Sequence, residues 1–362
     1  MGKPITDVIV INENATWVVR KNPRLPQLIE REFSNQAHII RSERLVDTID
    51  GLTKYARELQ QGFGICIHRL FVVGGDSTVM SVKPWVLEHQ PKDKPIGIVP
   101  VGGGQMNLVC KEIGFRTTNP LINLREAFNN GLQFKPIEWR PIEIWNSVSG
   151  ETRLTNFVSD GVVERVIRLE YDPLGKGSNL VVGFKLIPRL IWLFFWSNLL
   201  TLLRMRWEIK PRKWERVFSM TQAVVRIDGG VISANHHFGF LACPGKTISA
   251  GFKLFNGEIG IDQFRMIIYS GHPLLLITAV PFFWIGWIAP WIRKWTYNKP
   301  ARTLEIELPI THRDSRRVIL DGDSVPLWPY NNGDQPEKAT IRVTRSESIV
   351  TLLAPDYSSY QG

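Results

Sequence analysis

The stretch LFVVGGDSTV brings together the residues best suited to chemistry: an apolar run delivers Gly74 and Gly75, then Asp76, Ser77 and Thr78. Two glycines let the backbone turn sharply and come close to a phosphate, and Asp76 supplies an acceptor for a metal ion or a hydroxyl proton. A lone Gly-Gly-Asp is more often a plain turn. Its weight rises because IGIVPVGGGQMNLVCKEIG places Gly102, Gly103 and Gly104 after the next apolar run and before an apolar helix, which starts near Met106 or Asn107 and closes at Gly114. Such a helix start aims free backbone N–H groups and a positive dipole end at an anion. Neither a Gly-Lys-Ser/Thr nor a Gly-x-Gly-x-x-Gly pattern is present, which excludes the Walker loop and the dinucleotide fingerprint. Far along the chain, DGDS supplies Asp321 and Asp323 around Gly322. Asp-Gly is also a favoured two-residue hairpin turn, and turn and active-site roles are compatible. Asp262 in GIDQF reads as a polar residue at a strand end. His236 and His237 are neighbours that would point to opposite faces of a strand, so no joint metal site is assigned to them.

Positioning these residues requires strands. Val8–Ile11, Ala37–Ile40, Leu70–Val73 and Ile96–Val99 are short apolar, largely β-branched runs, and residues 47–60 carry apolar side chains at helical spacing, the pattern of parallel strands with crossover helices. In open α/β sheets ligands bind at the carboxyl ends of strands, where both glycine loops fall. From about Ile137 the period changes to two, in EWRPIEIWNSV, RLTNFVSD, MTQAVVRIDGGVIS and RTLEIELPI, which predicts antiparallel strands and a β-rich second domain.

The chain has 362 residues, more than one core usually serves, and its net charge of +10 favours an anionic partner. Cys66, Cys110 and Cys243 show no metal-type spacing and are expected as reduced, buried thiols of a cytosolic protein. The apolar run after MGKPITD is interrupted by Asn12 and Glu13, too early for a secretory signal. Two strongly apolar segments, Leu190–Leu203 and Pro273–Ile292, lie in the second domain. Pro281 and Pro290 argue against a span for the longer one. Basic residues and tryptophans interleave nearby in RMRWEIKPRKWER and WIRKWTYNK, a combination suited to an anionic bilayer surface. The same clustering disfavours nucleic acid, because no polar basic arm or known module is present.

The order of these motifs resembles the diacylglycerol kinase and sphingosine kinase family. The resemblance rests on Asn12 at the end of an early strand, on Gly74-Gly75-Asp76-Ser77-Thr78, on Pro100 through Gly104-Gln105-Met106-Asn107, and on Asp321-Gly322-Asp323. It extends through EWRPIEIW, NFVSDGVVE, ANHHFGFLACPG, GEIGIDQF and VILDGDSVPL. It implies an α/β fold class: an open α/β nucleotide-binding domain over residues 1–136 and a β-sandwich-like, lipid-binding domain over 137–362, with the last strand returning to the first domain. It implies ATP and Mg²⁺ as cofactors. Asn12, Gly74, Gly75, Asp76, Ser77, Thr78, Gly102, Gly103, Gly104, Gln105 and Asn107 would hold ATP. Asp76, Asp323 and Asp262 would serve the metal, and Asp321, aided by Asp76, would serve catalysis as general base for a lipid hydroxyl. The implied partners are ATP, a lipid alcohol and an anionic membrane surface, with the protein cytoplasmic and peripheral to the membrane. Departures from the family pattern are Ser77 in place of Gly, Gln105 in place of Thr in a longer loop, Asp323 in place of Glu, and Ser81 where many members carry an acid. They motivate two alternatives: a catalytically weakened relative that binds nucleotide or lipid, and a soluble enzyme of the NAD kinase type.

Overall fold

A computed structural model describes residues 5–161 and 223–359, less 16–17, 19–20, 92, 105–106, 234–238, 246–254, 256–257, 272–274, 276–278, 280–281, 283–286, 310–316, 322 and 327–337. The chain divides into two units, residues 1–140 with 347–362, and residues 141–346.

The first unit is built on one sheet. Strands β1 (Asp7–Asn12), β2 (His38–Ser42), β3 (Arg69–Gly74) and β4 (Gly97–Gly103) are joined by β5 (Gln133–Trp139) and β18 (Val350–Asp356) in the order β2-β1-β3-β4-β18-β5. All neighbours run parallel except β18 with β5. Val8 to Ile11 and Leu70 to Val73 are all fully buried, as strands covered on both faces must be. The cover comes from α1 (Leu25–Phe33), α2 (Leu45–Phe63), α3 (Asp76–His89), α4 (Leu108–Glu112) and α5 (Pro120–Phe128). Helix α1 opens on Leu25-Pro26 and buries Leu25, Ile29 and Phe33 at a spacing of four, one helical face. Helix α2 ends at Gly64, whose φ of 68° suits a left-handed cap.

Two expectations shift here. The second strand begins and ends later than Ala37–Ile40, at His38–Ser42. Ile65 and Ile67 turn inward ahead of β3, which leaves the intervening Cys66 exposed rather than buried, while Cys110 and Cys243 are buried.

The second unit is a pair of antiparallel sheets. One orders β10 (Gly230–Ser233), β9 (Val224–Ile227), β14 (Thr303–Pro309), β17 (Lys338–Arg345), β6 (Ile142–Asn146) and β7 (Thr152–Thr155). The other orders β13 (Thr296–Ala301), β12 (Phe264–Tyr269), β11 (Gly239–Cys243), β8 (Val158–Gly161), β15 (Arg317–Leu320) and β16 (Asp323–Pro326). Ile144, Val225, Ile306 and Ile341 of the first share one core with Val158, Phe240, Phe264 and Met266 of the second, a β-sandwich. Alternation sorts the faces: along β14, Leu304, Ile306 and Leu308 point inward, while Glu305 and Glu307 bond Arg342 and Lys338 at 2.8 and 2.7 Å on the outside. The segment Leu190–Leu203, most of Pro273–Ile292, the cluster RMRWEIKPRKWER and both His236 and His237 lie outside the described residues. Among the described residues no helix is long and apolar enough to cross a membrane.

Candidate functional site

At the carboxyl end of β3 the chain passes through Gly74 and Gly75 straight into α3, so that Asp76 occupies the first helical position with Gly75 as the cap. The next strand is irregular: Val72 pairs with Pro100 but Val73 pairs with Gly102, a bulge that leaves Val101 over. Bulges of this kind re-aim the residues beyond them. Here the backbone turns to a φ of 92° at Gly102 and 121° at Gly103, values closed to most side chains. The glycines expected in a loop therefore begin as distorted strand.

The two glycine segments lie backbone against backbone. A Cβ placed on Gly104 would meet the Gly75 Cα at 2.2 Å, and one on Gly103 would meet the Gly74 N at 3.0 Å. Glycine is needed at these positions because the strand ends touch. A Cβ on Gly74 would strike the Thr78 hydroxyl oxygen at 2.5 Å, and that hydroxyl in turn accepts a hydrogen bond from the Asn12 amide at 2.9 Å. Thus Asn12 at the end of β1, the turn after β3 and the turn after β4 form one connected edge.

Asp76 is the joint. It is 3% exposed, and its two carboxylate oxygens accept the backbone N–H groups of Leu108 and Val109, each at 2.9 Å. The expectation of free N–H groups at this helix start is corrected by these bonds: the first turn of α4 is capped by the Asp76 carboxylate. The helix is also shorter than expected, five residues ending at Glu112, with Gly114 two positions beyond at a φ of 99°. Burial pushes the Asp76 carboxyl up from the ordinary aspartate range, while the two N–H donors and the nearby Lys111 ammonium pull it back. The adjoining Cys110 thiol is raised by burial and by the Asp76 charge, which keeps it protonated and unreactive. Asn107 closes the second loop on itself: from a left-handed backbone (φ 51°) its side chain accepts from the Gly104 N–H and donates to the Gly104 carbonyl, both at 2.8 Å. Gln105 lies outside the described residues.

Gly75 and Ser77 remain half-exposed at this edge. Ser77 accepts a bond at its carbonyl from the Ser81 hydroxyl, 2.7 Å away. One contributor escaped the sequence reading. Asn123, fully buried in α5, donates from its amide to the carbonyls of Val101 at 2.8 Å and Thr117 at 3.0 Å, tying the bulged residue in place. The signal was available, since Pro120, Asn123, Leu124 and Ala127 make one helical face, and an amide on an apolar face needs internal partners.

In the second unit, the β15–β16 hairpin reverses at Asp321, where Leu320 pairs with Asp323. Asp321 has a φ of 51° and is 9% exposed. Its N–H donates to the Phe157 carbonyl at 2.9 Å and its Oδ1 accepts the Asn156 N–H at 2.8 Å, both beside β8. Asp323 is the first residue of β16. Asp262 lies in the turn before β12, exposed and bonded to Arg302 at 2.7 Å. Among the described residues no three His, Cys, Asp or Glu side chains assemble as a metal-binding group. The edge fits a polyphosphate, with backbone packed too tightly for a side chain at Gly104 and with Gly75 and Ser77 half-exposed beside it. The described carboxylates do not fit a protein-only magnesium site, because Asp76 is occupied by backbone donors and Asp262 by an arginine.

No protein-family model matches the sequence, and no curated protein matches it. Solved structures do. A diacylglycerol kinase from Bacillus anthracis str. Sterne is similar over 98% of this chain and 98% of its own, with a TM-score of 0.50 and 12% identity. A second structure from the same organism, carrying that assignment provisionally, aligns over 98% of this chain and 99% of its own at 14% identity and a TM-score of 0.50. At such identities the likeness speaks for the fold, which the chain shares with these proteins over nearly its whole length.

Proposed function

We propose that this chain, built on the fold of the diacylglycerol kinases, transfers the γ-phosphoryl group of ATP to the hydroxyl of a membrane lipid such as a diacylglycerol or a sphingoid base. The observation that carries the reading is the contact of Gly75 with Gly104, where a Cβ at position 104 would come within 2.2 Å of the Gly75 Cα. It creates a bare, backbone-lined edge at the carboxyl ends of parallel strands, suited to phosphates. Gly75 and Ser77, at the start of the fourteen-residue α3, would meet the phosphates with backbone N–H groups and the positive end of the helix dipole. Asp76, Asn12, Thr78, Asn107 and Asn123 would act as positioning residues that hold this edge in shape.

Phosphoryl transfer needs little beyond an aligned alcohol and neutralised phosphate oxygens. Asp321 is assigned as the general base that accepts the lipid hydroxyl proton as the oxygen attacks the γ-phosphorus and the bond from that phosphorus to the departing ADP breaks. Magnesium would enter on the triphosphate with its own water, as this ion commonly does, and Asp323 is the remaining candidate to meet it. The commitment of Asp76 to backbone donors also favours a second reading, a relative that binds nucleotide or lipid with little turnover.

Mass spectrometry of lipids extracted after incubation with ATP, Mg²⁺ and mixed vesicles tests both. A phosphorylated lipid is expected, and Asp321→Asn should cut its formation by about 10²–10⁴-fold, the usual share of a general base. ATP binding without any phosphorylated lipid would instead select the second reading.

A further inference from the structure

The connection between β12 and β13 carries a surface that includes none of the residues assigned above to phosphoryl transfer. Ala289 and Ile292 are fully buried and fasten this connection to the fold through α6 (Pro290–Arg293). The alternate residues face outward, and Trp287 and Trp291 are 40% and 41% exposed. Phe282 packs edge-on against both indoles, with centroids 4.9 and 5.3 Å away, and the indoles stand edge-to-face at 6.4 Å. The Trp287 backbone N–H donates to the Phe282 carbonyl at 3.1 Å. Exposed Arg293 and Lys294 follow directly, the Lys294 ammonium lying 4.1 Å from the Trp295 ring centroid. No acidic residue occurs between Asp262 and Glu305 to neutralise them.

Mutual edge-to-face packing holds the rings in one arrangement while leaving them in water, a cost to a monomer that marks an interaction surface. Indoles settle at the headgroup level of bilayers, and neighbouring cations add attraction to acidic lipids. We infer that this face docks the chain on an anionic bilayer, Trp287 and Trp291 entering the headgroup layer while Arg293 and Lys294 meet acidic headgroups. The inference rests on the lipid-kinase reading for its purpose, and its test is separable from that reading.

Sedimentation without ATP, using vesicles of phosphatidylcholine alone and of phosphatidylcholine with phosphatidylglycerol, gives the readout. The wild-type chain should bind the anionic vesicles, and more weakly as salt rises. Trp287→Ala/Trp291→Ala should lower the partition coefficient by roughly tenfold or more, and Arg293→Gln/Lys294→Gln should remove the preference for anionic lipid. The mutated side chains are exposed, so unchanged thermal unfolding of each variant is the control. Undiminished sedimentation of the tryptophan variant overturns the proposal. So does a wild-type dimer in light scattering that this variant abolishes while vesicles bind neither protein, which would assign the face to a second copy. Lipid phosphorylation in detergent micelles should survive in the tryptophan variant; an equal fall in micelles and vesicles would place the indoles at the reacting centre and overturn docking. A wild-type chain that sediments yet phosphorylates nothing ends the kinase reading and leaves docking intact.

Discussion

Asp76 and Asp321 are both aspartates of sequence motifs and both buried, at 3% and 9% exposure, yet the chain holds them by opposite means. Asp76 stands in the first turn of a regular helix and receives backbone donors from 32 and 33 residues away, so that its carboxylate joins two strand ends. Asp321 sits where the chain itself reverses, on left-handed backbone, with Asn156 bonding one oxygen. An aspartate after two glycines can therefore be a structural joint whose removal disturbs a whole edge, whereas an aspartate at a hairpin apex can change chemistry with its surroundings intact.

Substitution should pull the two apart most strongly. Asp321→Asn keeps an oxygen for the Asn156 N–H and tolerates positive φ, so turnover should collapse while urea denaturation shifts by less than about 1 kcal/mol. Asp76→Ala leaves the Leu108 and Val109 N–H groups buried without an acceptor, a loss of about 2–5 kcal/mol of stability, together with weaker ATP binding. Equal stability losses in both variants would erase the distinction drawn here.

Glycines sharpen the comparison at smaller scale. Gly104→Ala forces a methyl group to within 2.2 Å of the Gly75 Cα and should cost roughly 3 kcal/mol. Gly131 has a φ of 66° but nothing within 4 Å of an added Cβ, so Gly131→Ala should cost only about 1 kcal/mol of backbone strain. Chemical denaturation of the two variants side by side separates close approach from conformational demand.

Much of this was legible in the residues. The fully apolar runs at Val8–Ile11 and Leu70–Val73 announced parallel strands, and the period of two in RTLEIELPI announced a half-buried strand, because each pattern reflects one chain's exposure to its two faces. The partner of Asp76 was not legible, since it is set by where α4 lands after a bulge at Val101 that no local pattern marks. The free N–H groups expected at α4 failed for that reason. Cys66 failed more simply: alternation with Ile65 and Ile67 pointed it outward, a signal the count of cysteines obscured.

The smallest effect concerns the far side of the same sheet, where β18 brings the last residues of the chain between β4 and β5. Asp356, at its end, is bonded to the Lys135 ammonium of β5 at 2.8 Å and to the Ser358 hydroxyl at 2.7 Å. The lysine first, then Ser358, holds its carboxyl down from 3.8 to about 2. A carboxyl depressed by folding contributes stability that is complete above its unfolded value and lost as the pH falls through its folded one. The gap in Tm between the wild-type chain and Asp356→Asn should therefore be constant down to about pH 5 and close as pH drops from 3.8 toward about 2. Unlike Asp76, which accepts backbone N–H groups of a distant helix, this carboxylate pairs with an exposed lysine beside its bonds to Ser358, so the gap should also narrow in high salt. A gap that ignored both pH and salt would mean that Asp356 supports the strand end through its serine bonds rather than through its charge.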